Sequence, residues 1–323
     1  VSMSDCLFDY SIEQFPRLEA ETDDSPRIKR AVEATKNGVL YFPKGEYEIA
    51  ETIHIENGCS LWLHKSAILK AIADMSFVVV WEKSPKFDRN GFIRGGVIDG
   101  AGLASCIKID QVSHFTIKDM SLYNGKKFGF RAGNEITNEC GGCEIIASNL
   151  YCKCTMSGLA GNVGMSICTG DSHYTDCIVI DYTIGVDILM GSVKLTRVHV
   201  WGGPVPPKHG ETIPEMLVDS ISFRVNAPDV TLNDCYADTG EIGFQIHDCT
   251  RLNNCTYLST YSVFPLNCIK VIDHQSGHLT ASHCYFRQFE FDRNECMVYC
   301  GNGENLYADD IIVEGDGFMD AEE

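Results

Sequence analysis

The stretch "NDCYADTGEIGFQIHDCTRLNNCTY", Asn233 to Tyr257, states nearly the same phrase twice. Asn233-Asp234-Cys235-Tyr236 returns as Asn253-Asn254-Cys255-Thr256, twenty residues on. The pattern, a turn-forming polar residue and then a short apolar run, recurs along the chain. It appears as "KDMSLYN" (Met120), "SNLYCKC" (Leu150), "TDCIVID" (Cys177), "TRVHVWG" (Val198), "SHCYFR" (Cys284) and "DDIIVEG" (Ile311). Fixed-order recurrence at intervals of 20 to 37 residues is the mark of a repeat architecture. Between these phrases lie "FGFRAG", "VGMSICTG", "IGVDILMG", "ISFRVN", "IGFQIH", "CIKVID" and "CMVYC", which alternate apolar and polar residues with the strand period. Asp, Asn and Gly mark the joints, and helical periodicity is nearly absent after residue 35. Short strands with no helices between them imply a solenoid of β-coils stacked at ~4.8 Å. Position 235 then lies over position 255, and both thiols fill a narrow interior as small polarizable groups.

Composition sets the limits. The chain has 323 residues, long enough to bury a core, and a formal charge of −19. A nucleic-acid binder shows a basic footprint, and an anionic membrane surface repels an acidic protein, so neither partner is expected. Sixteen cysteines are many, but a chain of this length does not need disulfide staples, so reduced thiols are expected. No run of about 18 apolar residues and no signal-peptide pattern are visible. Together these features give a cytoplasmic expectation, with a phage-derived particle as the alternative.

Near the N-terminus, "DDSPRIKRAVEATKNG" reads as a helix over about 20–38. An Asp or Ser serves as N-cap, a Pro lies in the first turn, Ile28 and Val32 are four apart, and Gly38 is the stop. Such a helix would cap the open end of the solenoid, whose edge would otherwise pair with other chains. The stretch Asp23 to Ile49, "DDSPRIKRAVEATKNGVLYFPKGEYEI", resembles the opening of pectate-lyase-like right-handed parallel β-helix proteins, and "GGVIDGAG", Gly95 to Gly102, resembles an early coil of their polygalacturonase-type members. The resemblance implies that fold. It also implies carbohydrate chemistry from a range that includes polysaccharide lyases, glycoside hydrolases, epimerases, fructotransferases and phage tailspikes. Polygalacturonase-type members carry Asn-Thr-Asp, Asp-Asp, Gly-His-Gly and Arg-Ile-Lys on successive coils. That series is not present here, so their catalytic residues do not transfer.

Candidate chemistry follows from strand alternation. Gln245 faces outward between Phe244 and Ile246, and the same count places Arg131, Ser166, Asp187, Arg224 and Lys270 outward on neighbouring coils. Asn226 and His247 lie two residues further along, with Asp248, Asp273 and His274 at the adjoining turn. An ordinary solvated face with exposed pairs such as Asp187–Arg224, each worth under ~1 kcal/mol, gives the same pattern. Three cations in one strip of an acidic protein also suit an anionic sugar, because Arg grips a carboxylate through two parallel hydrogen bonds. An Asp held by Arg suits a base or nucleophile better than an acid. "WGGPVPPKHGETIPE", Trp201 to Glu215, reads as a stiff insertion over 201–219 that walls the face with Trp201, His209 and Glu211.

Glycoside hydrolysis needs two carboxyls, ~5 Å apart for retention or ~6.5–9.5 Å for inversion. The candidates are Asp187, Asp181, Asp238 and Glu241, with Arg131, Arg224, Gln245, His247, Lys270 and Trp201 as substrate-binding residues. A lyase would instead use Lys270 or Arg224 as base. Cys140, Cys143, Cys152 and Cys154 have the number of thiols for tetrahedral zinc, but Leu150, Cys152 and Cys154 share one strand face, as a coil interior requires. No metal and no cofactor are therefore expected.

The sequence thus predicts an all-β, right-handed parallel β-helix with an N-terminal helical cap, one domain over 1–323. The expected function is a carbohydrate-active enzyme, foremost a glycoside hydrolase on an acidic oligo- or polysaccharide. The alternatives are a polysaccharide lyase, an epimerase or glycosyl-transferring enzyme, a phage tailspike-type protein (which would be a homotrimer), and a non-catalytic sugar-binding solenoid.

Overall fold

The computed structural model describes residues 8–82, 91–134, 136–137, 142–155, 159, 161–202, 220–259, 270–288, 298–300 and 306–315. A strand (Tyr10–Ser11), a 3-10 turn (Ile12–Gln14) and a helix (Ser25–Ala34) come first. Thereafter the described chain is strand upon strand, from Val39–Phe42 to Ile312–Gly315. The strands pair in parallel into a ten-strand sheet and a second, bent sheet. Each central coil gives one strand to the first sheet, as in Ile184–Ile188, Ile221–Val225 and Ile242–Ile246. It gives two to the bent sheet, one on each side of a corner, as in Val230–Asn233 and Tyr236–Asp238. This is the right-handed parallel β-helix that the repeat predicts.

From Asp119 onward the corner is made by one left-handed residue per coil. Asp119, Asn149, Asp176, Arg197, Asp234, Asn254, His283 and Asp310 all have φ between 50 and 57°. Asn and Asp tolerate this region better than other non-glycine residues, which is why the repeat keeps them there. The next residue turns inward: Met120, Leu150, Cys177, Val198, Cys235, Cys255 and Cys284 are all buried. Asn233 pairs in register with Asn253, and the amide of Thr256 donates to the Cys235 carbonyl at 2.9 Å. Corner side chains are also tied between coils. Asn149 Nδ2 donates to Asp119 Oδ1 at 2.8 Å, and Asn253 Nδ2 donates to Asn233 Oδ1 at 2.9 Å. Burial pushes the Cys177 thiol up to about 12, so it acts as an apolar filler rather than a nucleophile. Cys152 and Cys154 also point into the core, while Cys143 lies half-buried beside Ser113 Oγ at 3.4 Å. Cys140 lies outside the described residues.

The ten-strand sheet departs from simple alternation. A Cβ on Gly185 would lie 2.2 Å from Val200 Cγ1, and one on Gly164 would lie 2.2 Å from Val179 Cγ1. These glycines therefore face the interior, and so do the residues after them, Val186 and Met165, which are fully buried. Two inward residues in succession put Phe128, Val163, Ile184 and Ile221 outside, where they form an apolar cluster separate from the core.

The cap helix is shorter than the sequence suggests. It ends at Ala34, with Thr35 as C-cap, and Asn37 takes a left-handed φ of 56° before Gly38. Asp24 is the N-cap residue, but its carboxylate makes no capping bond. It accepts instead from Arg17 Nε at 2.9 Å and from the Glu48 amide at 2.7 Å, tying the cap to the first coil.

A Gly185→Ala substitution tests the close packing at the inward pair. The new methyl would meet both Val200 and the Ser222 carbonyl, 2.7 Å away, so a loss of about 1–3 kcal/mol is expected in denaturant unfolding. Ser192→Ala, at an exposed turn, serves as the control.

Candidate active site

The outward column of the ten-strand sheet runs Lys108, Arg131, Ser166, Asp187, Arg224, Gln245, Asp273 by backbone register. Lys270 is not in it. It pairs with Ile242, three residues earlier along the strand. The inward doublet is the reason: Val271 and Ile272 both face the core, so Asp273 takes the outward place that alternation assigns to Lys270. His274 also faces inward, fully buried, with Nε2 3.1 Å from the Gly277 carbonyl.

The cations of this column are engaged. Arg224 Nε and Nη2 donate to the two oxygens of Asp187 at 2.9 and 2.7 Å, and Asn226 Nδ2 adds a third bond at 3.0 Å. That pairing raises the Arg224 pKa further. Arg131 is only 1% exposed, its guanidinium held against the protein rather than reaching into solvent. Its Nη1 donates to Ser166 Oγ at 2.7 Å and its Nε to the Gly133 carbonyl at 3.1 Å. Lys270 Nζ donates to Asp273 Oδ1 at 2.9 Å, and Gln245 Nε2 donates to Asp273 Oδ2 at 3.0 Å. Burial pushes the Asp273 carboxyl up, but the bonds from Gln245, Lys270 and Gln275 outweigh it and hold the group below the usual range. The charges expected to grip a substrate thus neutralise one another. Breaking such a buried pair costs about 3–5 kcal/mol. His247 is half-buried at the end of this face, its amide bonded to the Val225 carbonyl.

The other acidic candidates gather elsewhere, on the post-corner strands of the bent sheet. Ile180, Trp201 and Asp238 occupy one outward register on three consecutive coils. Asp181 follows Ile180 in a left-handed conformation, φ 60°. Asp181 and Asp238 are thus two coils apart, about 10 Å along the axis, with Trp201 between them. One register to the side, His199 stacks on Tyr236 with ring centres 4.4 Å apart, and the Tyr236 hydroxyl donates to Asp238 Oδ2 at 3.0 Å.

This group holds an unusual concentration of unsatisfied atoms. Among the described residues, Asp181 Oδ1, Trp201 Nε1, Asp238 Oδ1 and Thr239 Oγ1 are buried without a hydrogen-bond partner, and His199 Nε2 faces Asp238 Oδ2 at 3.8 Å, beyond hydrogen-bond length. Each such atom costs about 1–3 kcal/mol. Burial raises the Asp181 carboxyl to about 7, and Lys153, on the preceding coil, offsets only part of that shift. Glu241 is buried on the turn leading to the next strand of the ten-strand sheet, and its amide donates to Ser220 Oγ at 3.1 Å.

The structure therefore divides the predicted residues. Asp187, Arg224, Gln245 and Lys270 belong to a self-compensated face; Asp181, Trp201 and Asp238 belong to a polar corner with open valences. His199, Tyr236 and Thr239 had been passed over, although parity with Trp201 and Asp238 places the first two on the same face. Residues 203–219 of the insertion, with His209 and Glu211, lie outside the described residues.

No family model matches the sequence, and no curated protein is similar to it in sequence. Solved structures do match in fold. The endo-xylogalacturonan hydrolase of Aspergillus tubingensis is 14% identical, with a TM-score of 0.58 over 93% of this chain and 92% of that one. The A-module of the Azotobacter vinelandii mannuronan C-5 epimerase AlgE4 is 12% identical, with a TM-score of 0.53 over 97% and 100%. The Streptococcus pneumoniae surface protein and adhesin PfbA is 10% identical, with a TM-score of 0.53 over 95% and 98%. Together with the sheet topology, these likenesses show that the chain has the pectate-lyase-like right-handed parallel β-helix fold.

Proposed function

We propose that the protein is a glycoside hydrolase acting on an acidic polysaccharide, with its reaction centre at the corner formed by Asp181, Trp201 and Asp238. The observation that carries this reading is a carboxyl raised to about 7 on a coil two away from a second carboxyl, with Trp201 on the coil between them in backbone register. The separation, about 10 Å along the backbone, suits two carboxyls that hold a water between them at the ~6.5–9.5 Å of an inverting enzyme.

Asp181, protonated near neutrality, gives its proton to the glycosidic oxygen as the bond from that oxygen to the anomeric carbon breaks. Asp238 takes a proton from the water whose oxygen bonds to the same carbon from the opposite side. Trp201 offers an apolar surface for a sugar ring between them. Sugar hydroxyls both donate and accept, so they supply partners for the unpaired atoms of Trp201 and Thr239. Fold alone does not select a reaction, since a hydrolase, an epimerase and an adhesin share it. Two of these neighbours are named for a uronan, which supports an acidic substrate.

Asp181→Asn and Asp238→Asn should each reduce turnover of a cleavable glycan by about 100-fold or more while far-ultraviolet circular dichroism stays unchanged. Asp187→Asn should lower stability by about 3 kcal/mol, because it leaves Arg224 without its counter-charge. Products carrying the ultraviolet absorbance of an unsaturated uronate would replace hydrolysis with elimination.

The raised Asp181 pKa sets two pH dependences. Turnover should fall as pH rises through about 7, when the acid loses its proton. In the unfolded chain the same group ionises near 4, so the folded state holds an extra proton between about 4 and 7. Stability from this group is complete below that window and is lost as pH rises through it, by up to about 4 kcal/mol. Asp181→Asn should flatten this slope in unfolding curves taken from pH 4 to 8. An unchanged slope would remove Asp181 from the role of acid.

A further inference from the structure

The pre-corner strands of the bent sheet form another outward face, and its charge is opposite to that of the whole protein. From Val39–Phe42 to Leu279–Ser282, the outward positions of these strands contain no Asp or Glu. They contain Arg94, Lys118, His173, Lys194 and Arg251, in a chain of net charge −19. None of these five side chains makes an ion pair or hydrogen bond among the described residues. Lys118, His173, Lys194 and Arg251 are exposed. Arg94 is half-buried, and its Nε is buried without an acceptor.

Aromatic rings continue the same column. Tyr41, Trp62, Arg94 and Lys118 are consecutive partners in register. Trp62 meets Tyr41 edge-on at 5.4 Å, and the Arg94 guanidinium lies 4.0 Å over the Trp62 ring. Arg94 and Lys118 sit on adjacent coils, ~4.8 Å apart, with no carboxylate between them. Like charges so placed repel unless an anion bridges them. The face ends at the strand Leu306–Asp309, where Asp309 stands in register with Ser282, and the other nearby acids are at its flanking turns. Asp176 there is paired with Arg197, and Asp119 and Asp234 accept from Asn149 and Asn254.

We infer that this face binds an extended anionic glycan laid along the solenoid axis, with its acid groups on Arg94, Lys118, Lys194 and Arg251; the aromatic end of the column is closed, because Phe8 stacks on Tyr41 at 4.7 Å and Arg94 covers Trp62. Arg94 and Lys118 are one coil apart, Lys118 and Lys194 three, and Lys194 and Arg251 two, whole multiples of the coil rise that acid groups repeated along a polymer can meet. The acidic remainder of the protein repels the denser charge of a nucleic acid. The inference rests on the proposed function only for the identity of the ligand as a glycan. It uses none of the residues assigned to catalysis.

The test is binding of fluorescently labelled polygalacturonate, alginate and chondroitin sulfate oligomers to the full chain, with duplex DNA and a neutral glucan as comparisons. At least one acidic glycan should bind, and more weakly as salt rises. The triple variant Lys118→Glu, Lys194→Glu, Arg251→Glu changes only exposed side chains and should weaken that binding by about tenfold or more. Binding that ignores charge reversal, equal binding of the neutral glucan or of DNA, or a triple variant whose only change is loss of self-association would each overturn the inference. If Asp181→Asn retains turnover but charge reversal abolishes binding, the catalytic assignment fails and this inference stands. If turnover behaves as proposed and charge reversal changes nothing, the inference fails alone.

Discussion

The coils of this molecule from Asp119 onward depend on a backbone constraint repeated once per coil: a residue in the left-handed region that bends the chain between two strands of the same sheet. A non-glycine side chain pays for that conformation, and Asn and Asp pay least because their short polar side chains can bond locally. Asp119, Asn149, Asp176, Asp234, Asn254 and Asp310 are such residues. Arg197 and His283 are not, yet they share the conformation, with φ of 52 and 53°. Neighbouring coils and parallel hydrogen bonds therefore impose the bend even where the residue does not favour it. Once the bend is set, the next residue must face the interior, and the outward register of each face follows coil by coil.

That constraint made the fold legible in the sequence. A polar residue of the Asx type before a small apolar one is a local signal, and recurrence converts it into a statement about distant contacts. Cys235 and Cys255 could be placed in adjoining coils from their spacing alone. The candidate site was less legible. Counting outward from Phe130, Val186 or Phe244 toward the strand end succeeds, because alternation holds there. Counting from Ile269 fails, because Val271 and Ile272 both point inward. A glycine at the first inward position, as in Gly164, Gly185 and Gly243, marks that irregularity, but the coil of Lys270 has Val271 in its place. What sets Asp181, Trp201 and Asp238 apart from the other sequence candidates was not legible for another reason: their open valences are properties of burial, which no spacing reveals.

The charge distribution shows why a count of cations is a poor guide to binding. Arg131, Arg224 and Lys270 looked like a basic strip, yet each is occupied by carbonyls or a carboxylate. Such pairs fix the geometry of a buried face and leave little field for a ligand. Lys118 has Ser148 beside it in register, and Lys194 and Arg251 have Thr231 and Thr280, whose dipoles cannot neutralise them; Arg94 has only the Trp62 ring and Lys118. A sequence-wide charge of −19 conceals this face, because the sum takes no account of which wall of the solenoid a residue belongs to. Screening extends only about 8–10 Å at ordinary ionic strength, so an incoming anion responds to the nearest wall rather than to the total.

The two proposed sites are on either side of the same bend, and this has a consequence for how they would act together. The basic face is made by strands that precede the left-handed residue, and the corner group by strands that follow it. A straight polymer lying along one of these walls does not also lie on the other. The segment held by Arg94, Lys118, Lys194 and Arg251 is therefore different from the segment cut between Asp181 and Asp238. Holding one part of a long chain raises the effective concentration of its other parts around the corner, by an amount set by the length of polymer spanning the bend. For an oligomer too short to span it, the basic face adds nothing to turnover, or competes for it. For a long one, the same face lowers the concentration at which cleavage saturates. A dependence of apparent KM on polymer length, with kcat unchanged, is what two walls joined by one bend would produce.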